Sequence, residues 1–182
     1  GPAKEILEVK NAIHCYSNLS NLDWKSSKSF LQAHQLLMKG LVQKSGQYRT
    51  GAVGILKGSK VSHIAPKALM VPELMEKLFN YLKKSNDLPL IKSCVFHYEL
   101  EFIHPFQDGN GRMGRLWQTL ILSNYNPIFE FIPVESQIHA HQAEYYKVLE
   151  RCDKKGESTD FIAWMLEMVL EALQIFSKDS IP

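Results

Sequence analysis

Apolar residues recur along this chain at intervals of three and four, the spacing that lines side chains up on one face of an α-helix. Phe30, Leu31, His34, Leu37, Met38 and Leu41 form one stripe, and Leu74, Leu78 and Leu82 form another behind Pro72, a residue suited to a first helical turn. Ile91, Cys94, Val95, Tyr98 and Phe102 repeat the spacing, as do Met113, Leu116, Leu120 and Ile121. The last stripe, Phe161, Ile162, Met165, Leu166, Val169, Leu170 and Leu173, follows the cap candidates Ser158, Thr159 and Asp160. The pattern breaks between Ser45 and Pro66, where Gly46, Gly51, Gly54 and Gly58 punctuate short β-branched stretches such as Val61 and Ile64. The chain therefore reads as all-α, a helical bundle with a small β-hairpin.

Length and composition narrow the class. The 182 residues are 45% apolar and 22% charged, without repeats, low-complexity tracts or a long linker, which predicts one domain. A net charge of +2 lacks the basic excess expected of a nucleic-acid binder or a polybasic membrane anchor, so neither partner is expected. Cys15, Cys94 and Cys152 are odd in number and far apart, which suits free thiols in a reducing compartment and predicts a cytoplasmic location. Phe161 to Phe176 is too short, and with Glu167 and Glu171 too charged, to span a bilayer. Gly1-Pro2 and the missing initiator Met read as a tag remnant on a piece of something longer, which sets residues 1–3 apart from a core at 4–178 and a tail at 179–182.

The candidate chemistry is concentrated in HPFQDGNGRMGR, residues 104–115, between one apolar helix and the next. Gly109 and Gly111 take away side chains where backbone must turn or let a ligand approach, and the N–H groups of such a loop at a helix start favour an anion, with phosphate the expected guest. Arg112 and Arg115 lie three apart, on one face just inside that start, where a cation opposes the helix dipole unless an oligophosphate relieves it. Asp108 is a hard oxygen ligand suited to Mg²⁺ or Mn²⁺ that completes its shell from phosphate and water, and His104 can accept a proton near neutral pH.

HPFQDGNGRMGR matches without a gap the HxFx(D/E)GNGRxxR signature of the Fic family of nucleotidyl transferases, and GQYRTGAVGI, VSHIAPKALMVPELM and AEYYKVLERCD extend the resemblance from about Phe30 to Phe176. It implies a Fic-fold helical bundle whose β-hairpin, about 45–66, is a flap beside the active-site loop. It also implies a protein adenylyltransferase that moves AMP from ATP to a Ser, Thr or Tyr hydroxyl and releases pyrophosphate. His104 would be the base, Asp108 the metal ligand, and Phe106 the anchor of the loop. Gly109, Asn110 and Gly111 would cradle phosphates, Arg112 would grip the β-phosphate and Arg115 the γ-phosphate. Gly111, where related phosphate-transferring toxins resemble one another in a lysine, leaves room for AMP transfer. The alternatives are another Fic-type nucleotidyl transfer, removal of AMP, or a non-catalytic nucleotide- or partner-binding module.

By the same resemblance, Val61, Ser62, His63 and Ile64 would pair with the backbone of a target protein. Tyr145 and Tyr146 would flank the adenine, with Asp153 where some relatives place an asparagine. Two tyrosines at that spacing beside Val148 and Leu149 are also what an ordinary core helix shows. Many family members resemble one another in an inhibitory helix, [ST]xxxE[GN], whose glutamate pairs with the second arginine of the motif. No glutamate here has that setting. Arg115 is thus expected to be unpaired by such a helix, with the inhibitor lying upstream or on a separate, antitoxin-like chain. GAVGILKGSK does not fit GxxxxGK[ST], and the pairs His139/His141 and His97/Glu101 lack a third convergent ligand for a metal.

Overall fold

The computed structural model describes residues 1–57 and 60–180, with side chains outside 55–63 and 180. Among the described residues eight α-helices form: α1 (Pro2–Ser17), α2 (Ser27–Leu37), α3 (Val71–Lys84), α4 (Pro89–Ile103), α5 (Asn110–Tyr125), α6 (Val134–Ala140), α7 (Gln142–Lys155) and α8 (Thr159–Ser180). Local chemistry accounts for several boundaries. Ser26 caps α2 by accepting the Ser29 N–H at 3.2 Å, Pro72 and Pro89 sit in the first turns of α3 and α4, and Gly156 ends α7 in the left-handed conformation. Two strands, β1 (Gly54–Lys57) and β2 (Lys60–Ile64), pair antiparallel, Gly54 opposite Ile64 and Lys57 opposite Lys60, with an irregularity between Ile55 and Leu56.

Helix α4 is buried on nearly every side, as its all-round apolar sequence requires, and it divides two cores. On one side Phe30, Phe79, Phe96, Phe106 and Trp117 meet in a cluster of stacked, tilted and edge-on rings from α2, α3, α4, α5 and the loop that follows α4. On the other, Tyr98, Tyr145, Phe161, Trp164 and Met165 join α4 to α7 and α8. Helices α4 and α5 run side by side, and Gly114 brings them together: a Cβ there would stand 3.4 Å from the Leu100 side chain. Among the described residues no helix is long and apolar enough to cross a membrane, and all three cysteines are buried and free.

Candidate active site

The loop between α4 and α5 is built around Phe106. Its ring is fully buried, stacks on His34 at 3.7 Å between centroids and on Phe30 at 5.4 Å, and so pins the loop to the first core. Asn110, the first residue of α5, closes the loop from inside. Its amide oxygen accepts the Phe106 N–H at 2.9 Å and its amide nitrogen donates to the Phe106 carbonyl at 2.7 Å. The Asn110 side chain is thus a brace, and what it offers an anion is its backbone at the helix start. Asp108 accepts the Gly109 N–H at 2.7 Å through one carboxylate oxygen, and its side chain is exposed.

His34 holds the loop from the other side. Its Nδ1 accepts the Gly46 N–H at 2.8 Å, which leaves Nε2 to donate to the Asp108 carbonyl at 2.9 Å. Only the neutral imidazole can do both, and burial accordingly pushes the His34 pKa down, against the opposing pull of Asp108. Gly109 is required here: its φ is +88°, and an added Cβ would lie 2.8 Å from the Met38 sulfur. His104 ends α4 at φ 49°, ψ 62°, the one described non-glycine residue with positive φ.

Two hollows meet at His104. The smaller, about 290 Å³, is lined by His104 and the loop from Gln107 to Arg112, with Arg115. The larger, about 490 Å³, runs from His104, Gly111 and Arg115 to Tyr145 and Tyr146 on α7, with Gly54 of β1 at its rim. Tyr145 proves to be both core and cleft wall. It is 8% exposed, and its hydroxyl meets His97 Nε2 at 2.9 Å, while His97 Nδ1 meets Gln118 Oε1 at 2.9 Å. Burial lowers the His97 pKa to about 4 and raises that of Tyr145 far above its ordinary value. Asp153 does not line the cleft, and its carboxylate accepts the Tyr98 hydroxyl at 3.1 Å. The side chains of Val61, Ser62 and His63 lie outside the described residues, as do Gly58 and Ser59 entirely, and Ile64 is exposed.

The arginines are not bare. Arg112 pairs with Glu8 of α1 at 3.1 Å and rests on the Met38 sulfur at 3.4 Å, and Arg115 faces Glu135 of α6 at 3.7 Å. The carboxylate that faces Arg115 comes from Glu135, which is not set in an [ST]xxxE[GN] sequence. Glu101, one turn before His104, lines the same cleft as Glu135, and burial, with Glu135 close by, raises its pKa to about 7. Sequence spacing could not connect His34, Glu8, Glu101 or Glu135 with the loop, because each lies outside it. Among the described residues no three His, Cys, Asp or Glu side chains converge to hold a metal. The donor set fits a hard cation only as a single exposed carboxylate, Asp108, the minimal protein contribution for an ion that takes its other oxygens from phosphate and water.

A model of the Fic/DOC family matches residues 24–122, which span the hairpin, the loop and its flanking helices. The chain belongs to the Fic/DOC family. This Fic chain is 33% identical over 140 residues to a Fido domain-containing protein of Dictyostelium discoideum, covering 71% of this chain and 88% of that one. It is 35% identical over 98 residues to a probable protein adenylyltransferase of Aquifex aeolicus, covering 53% of this chain but 29% of the relative. Among solved structures, a Fic family protein from Desulfovibrio desulfuricans superposes with a TM-score of 0.93 at 46% identity over 100% of this chain and 56% of its own. Fic-1 of Caenorhabditis elegans shares the fold at a TM-score of 0.66 and 21% identity. The Fic chain thus spans little more than half of the Desulfovibrio protein and under a third of the Aquifex one.

Proposed function

We propose that this Fic chain is a protein adenylyltransferase that transfers AMP from ATP to a hydroxyl side chain of a target protein. The observation that carries the reading is the position of His104 where an arginine-flanked helix-start hollow opens into a separate cleft large enough for a nucleoside. The triphosphate would lie along Gly109 to Gly111, where backbone N–H groups and the α5 dipole favour negative charge, with Arg112 and Arg115 as forked donors to its outer phosphates. The nucleoside would extend towards Tyr146 and Tyr145. His104 takes the proton of the target hydroxyl as its oxygen bonds to the α-phosphorus. The bond from that phosphorus to the bridging oxygen breaks, and pyrophosphate leaves with the electron pair among donors already in place. Asp108 is the residue that would hold Mg²⁺ or Mn²⁺, and the ion would supply charge neutralisation on the leaving group. The β1–β2 hairpin would serve as the flap that presents the target, by pairing a strand edge with the target backbone.

Relatives named as protein adenylyltransferases, at 32–35% identity, support the reading. The test is incubation of the chain with ATP labelled on the α-phosphate or the γ-phosphate and a protein lysate. Label from the α position should enter protein with the parent and not with His104→Ala, which should still bind ATP. The rate should fall by about 10²- to 10⁴-fold. Label entering only from the γ position, or AMP released from pre-modified protein in its place, would reassign the reaction.

A further inference from the structure

Arg49 has no place in the chemistry above, yet it is among the most constrained side chains of the molecule. It is 4% exposed, and no carboxylate pairs with it among the described residues. Its guanidinium instead donates to four backbone carbonyls. Nε meets His104 at 2.7 Å, Nη1 meets Gly51 at 3.0 Å, and Nη2 meets both Pro66 at 2.5 Å and Ile103 at 3.1 Å. Its own N–H donates to the Pro105 carbonyl at 2.9 Å. These acceptors fall into two groups. Gly51 and Pro66 flank the outer ends of β1 and β2, whereas Ile103, His104 and Pro105 are the residues at which α4 gives way to the loop.

Each group explains part of the need for an arginine. The last carbonyls of a helix have no partner within it and carry the negative end of its dipole. In α4 they end at His104, a non-glycine residue held in the left-handed region that residues with a Cβ rarely adopt. A planar fork with five N–H donors can reach several carbonyls at fixed angles, and an ammonium on a flexible stem cannot. A buried cation facing only carbonyl oxygens is thus a joint between two segments, not a surface ion pair.

We propose that Arg49 is a positioning residue: a single buried guanidinium ties both ends of the hairpin to the terminal carbonyls of α4 and thereby fixes where His104 stands relative to a hydroxyl delivered at the hairpin. The functional half rests on the reading of His104 as the base. The structural half, one joint controlling loop and hairpin together, does not.

The experiment compares the parent with Arg49→Lys and Arg49→Gln by three measurements. In the parent protein, Arg49 Nε–H should be visible by ¹⁵N NMR as a slowly exchanging arginine signal at a pH where that of exposed Arg151 is lost to solvent. In Arg49→Lys, the amides of His104 and residues 107–109, and those of Ile64 and Ala65, should all exchange at least about tenfold faster, with those of α8 unchanged. For AMP transfer, kcat should fall roughly 10²-fold while KM for ATP stays within about twofold, because displacement of a base by about an ångström affects the chemical step and not the phosphate loop. Exchange accelerating in only one of the two segments, or in neither, would overturn the joint, and so would a fast-exchanging Nε–H. That last arm needs no variant, so it decides even if both substitutions prevent folding. Equal losses in kcat and in ATP binding would overturn the positioning role. If the parent transfers no AMP at all, the adenylyltransferase reading falls, and the exchange measurements still decide the joint.

Discussion

Gly109 and Gly111 stand two residues apart in the same loop, and replacing each with alanine should move stability in opposite directions. At Gly109 the backbone φ of +88° is unfavourable for any residue with a Cβ, by about 1–2 kcal/mol. The new methyl would stand 2.8 Å from Met38 Sδ, 3.1 Å from Met38 Cγ and 3.3 Å from His34 Nε2. Met38 is fully buried and cannot swing away, so the displacement of packed neighbours adds about 1–3 kcal/mol. The His34 contact is the one that donates to the Asp108 carbonyl, so the strain falls on the loop itself. A loss of about 3 kcal/mol is therefore expected, which in a chain of this size lowers Tm by roughly 6–12 °C. At Gly111 φ is not positive, the residue lies in the first turn of α5, and the nearest atom is the tip of Arg115 at 3.4 Å. There alanine gains about 0.5–1 kcal/mol of helix stability, so Tm should rise by roughly 1–4 °C. Thermal unfolding followed by circular dichroism at one pH measures both. Equal shifts for the two variants, or a Gly109→Ala protein as stable as the parent, would refute the steric account of the loop.

The buried neutral His97, with its pKa at about 4 against 6.5, confers stability that is fully present above pH 6.5 and lost as pH falls from there through 4, about 3 kcal/mol in all. Urea unfolding at pH 7.5, 5.5 and 4 should show the loss, and a flat profile would count against it. Glu101, raised to about 7, is protonated and uncharged below that pH and ionised above it. ATP affinity by calorimetry should fall roughly two- to fivefold from pH 6 to 8.5, and Glu101→Gln should remove that part of the dependence. Glu8→Gln should free Arg112 from its half-buried pair and tighten ATP binding by up to about fivefold, with weaker binding showing that Glu8 serves to aim the arginine.

Helices such as α3 and α8 were legible in the sequence because their buried residues repeat at the helical period: Leu78, Leu82, Phe161, Met165 and Val169 all enter the cores. Helix α1 was not, because its apolar residues Ile6, Val9 and Ile13 are exposed while its buried positions are Asn11 and Cys15. The loop from His104 to Arg115 could be read at once because its residues are contiguous, and the structure brings them around one hollow. What surrounds the loop could not, since Glu8, His34, Arg49, Glu101 and Glu135 sit on five other stretches of chain and meet it only after folding. Asn110 shows a subtler gap: its type suggests a ligand contact, and only three-dimensional distances show both ends of its amide engaged by Phe106. Asp153 likewise matches the spacing expected of a base-contacting residue, yet it is turned to the Tyr98 hydroxyl.

The ring of Phe106 has a thermodynamic consequence. A loop whose central side chain sits among Phe30, His34 and Tyr48 in the main core belongs to the same cooperative unit as that core and cannot open by itself. Exchange of the Phe106 amide, sheltered by Asn110, should then track global unfolding in denaturant and not a local fluctuation. Because no segment of the loop needs to fold around an incoming ligand, its association should show a small heat-capacity change and little entropic penalty from ordering. Any ligand of the loop would meet a finished cast, its shape set by the core before it arrives.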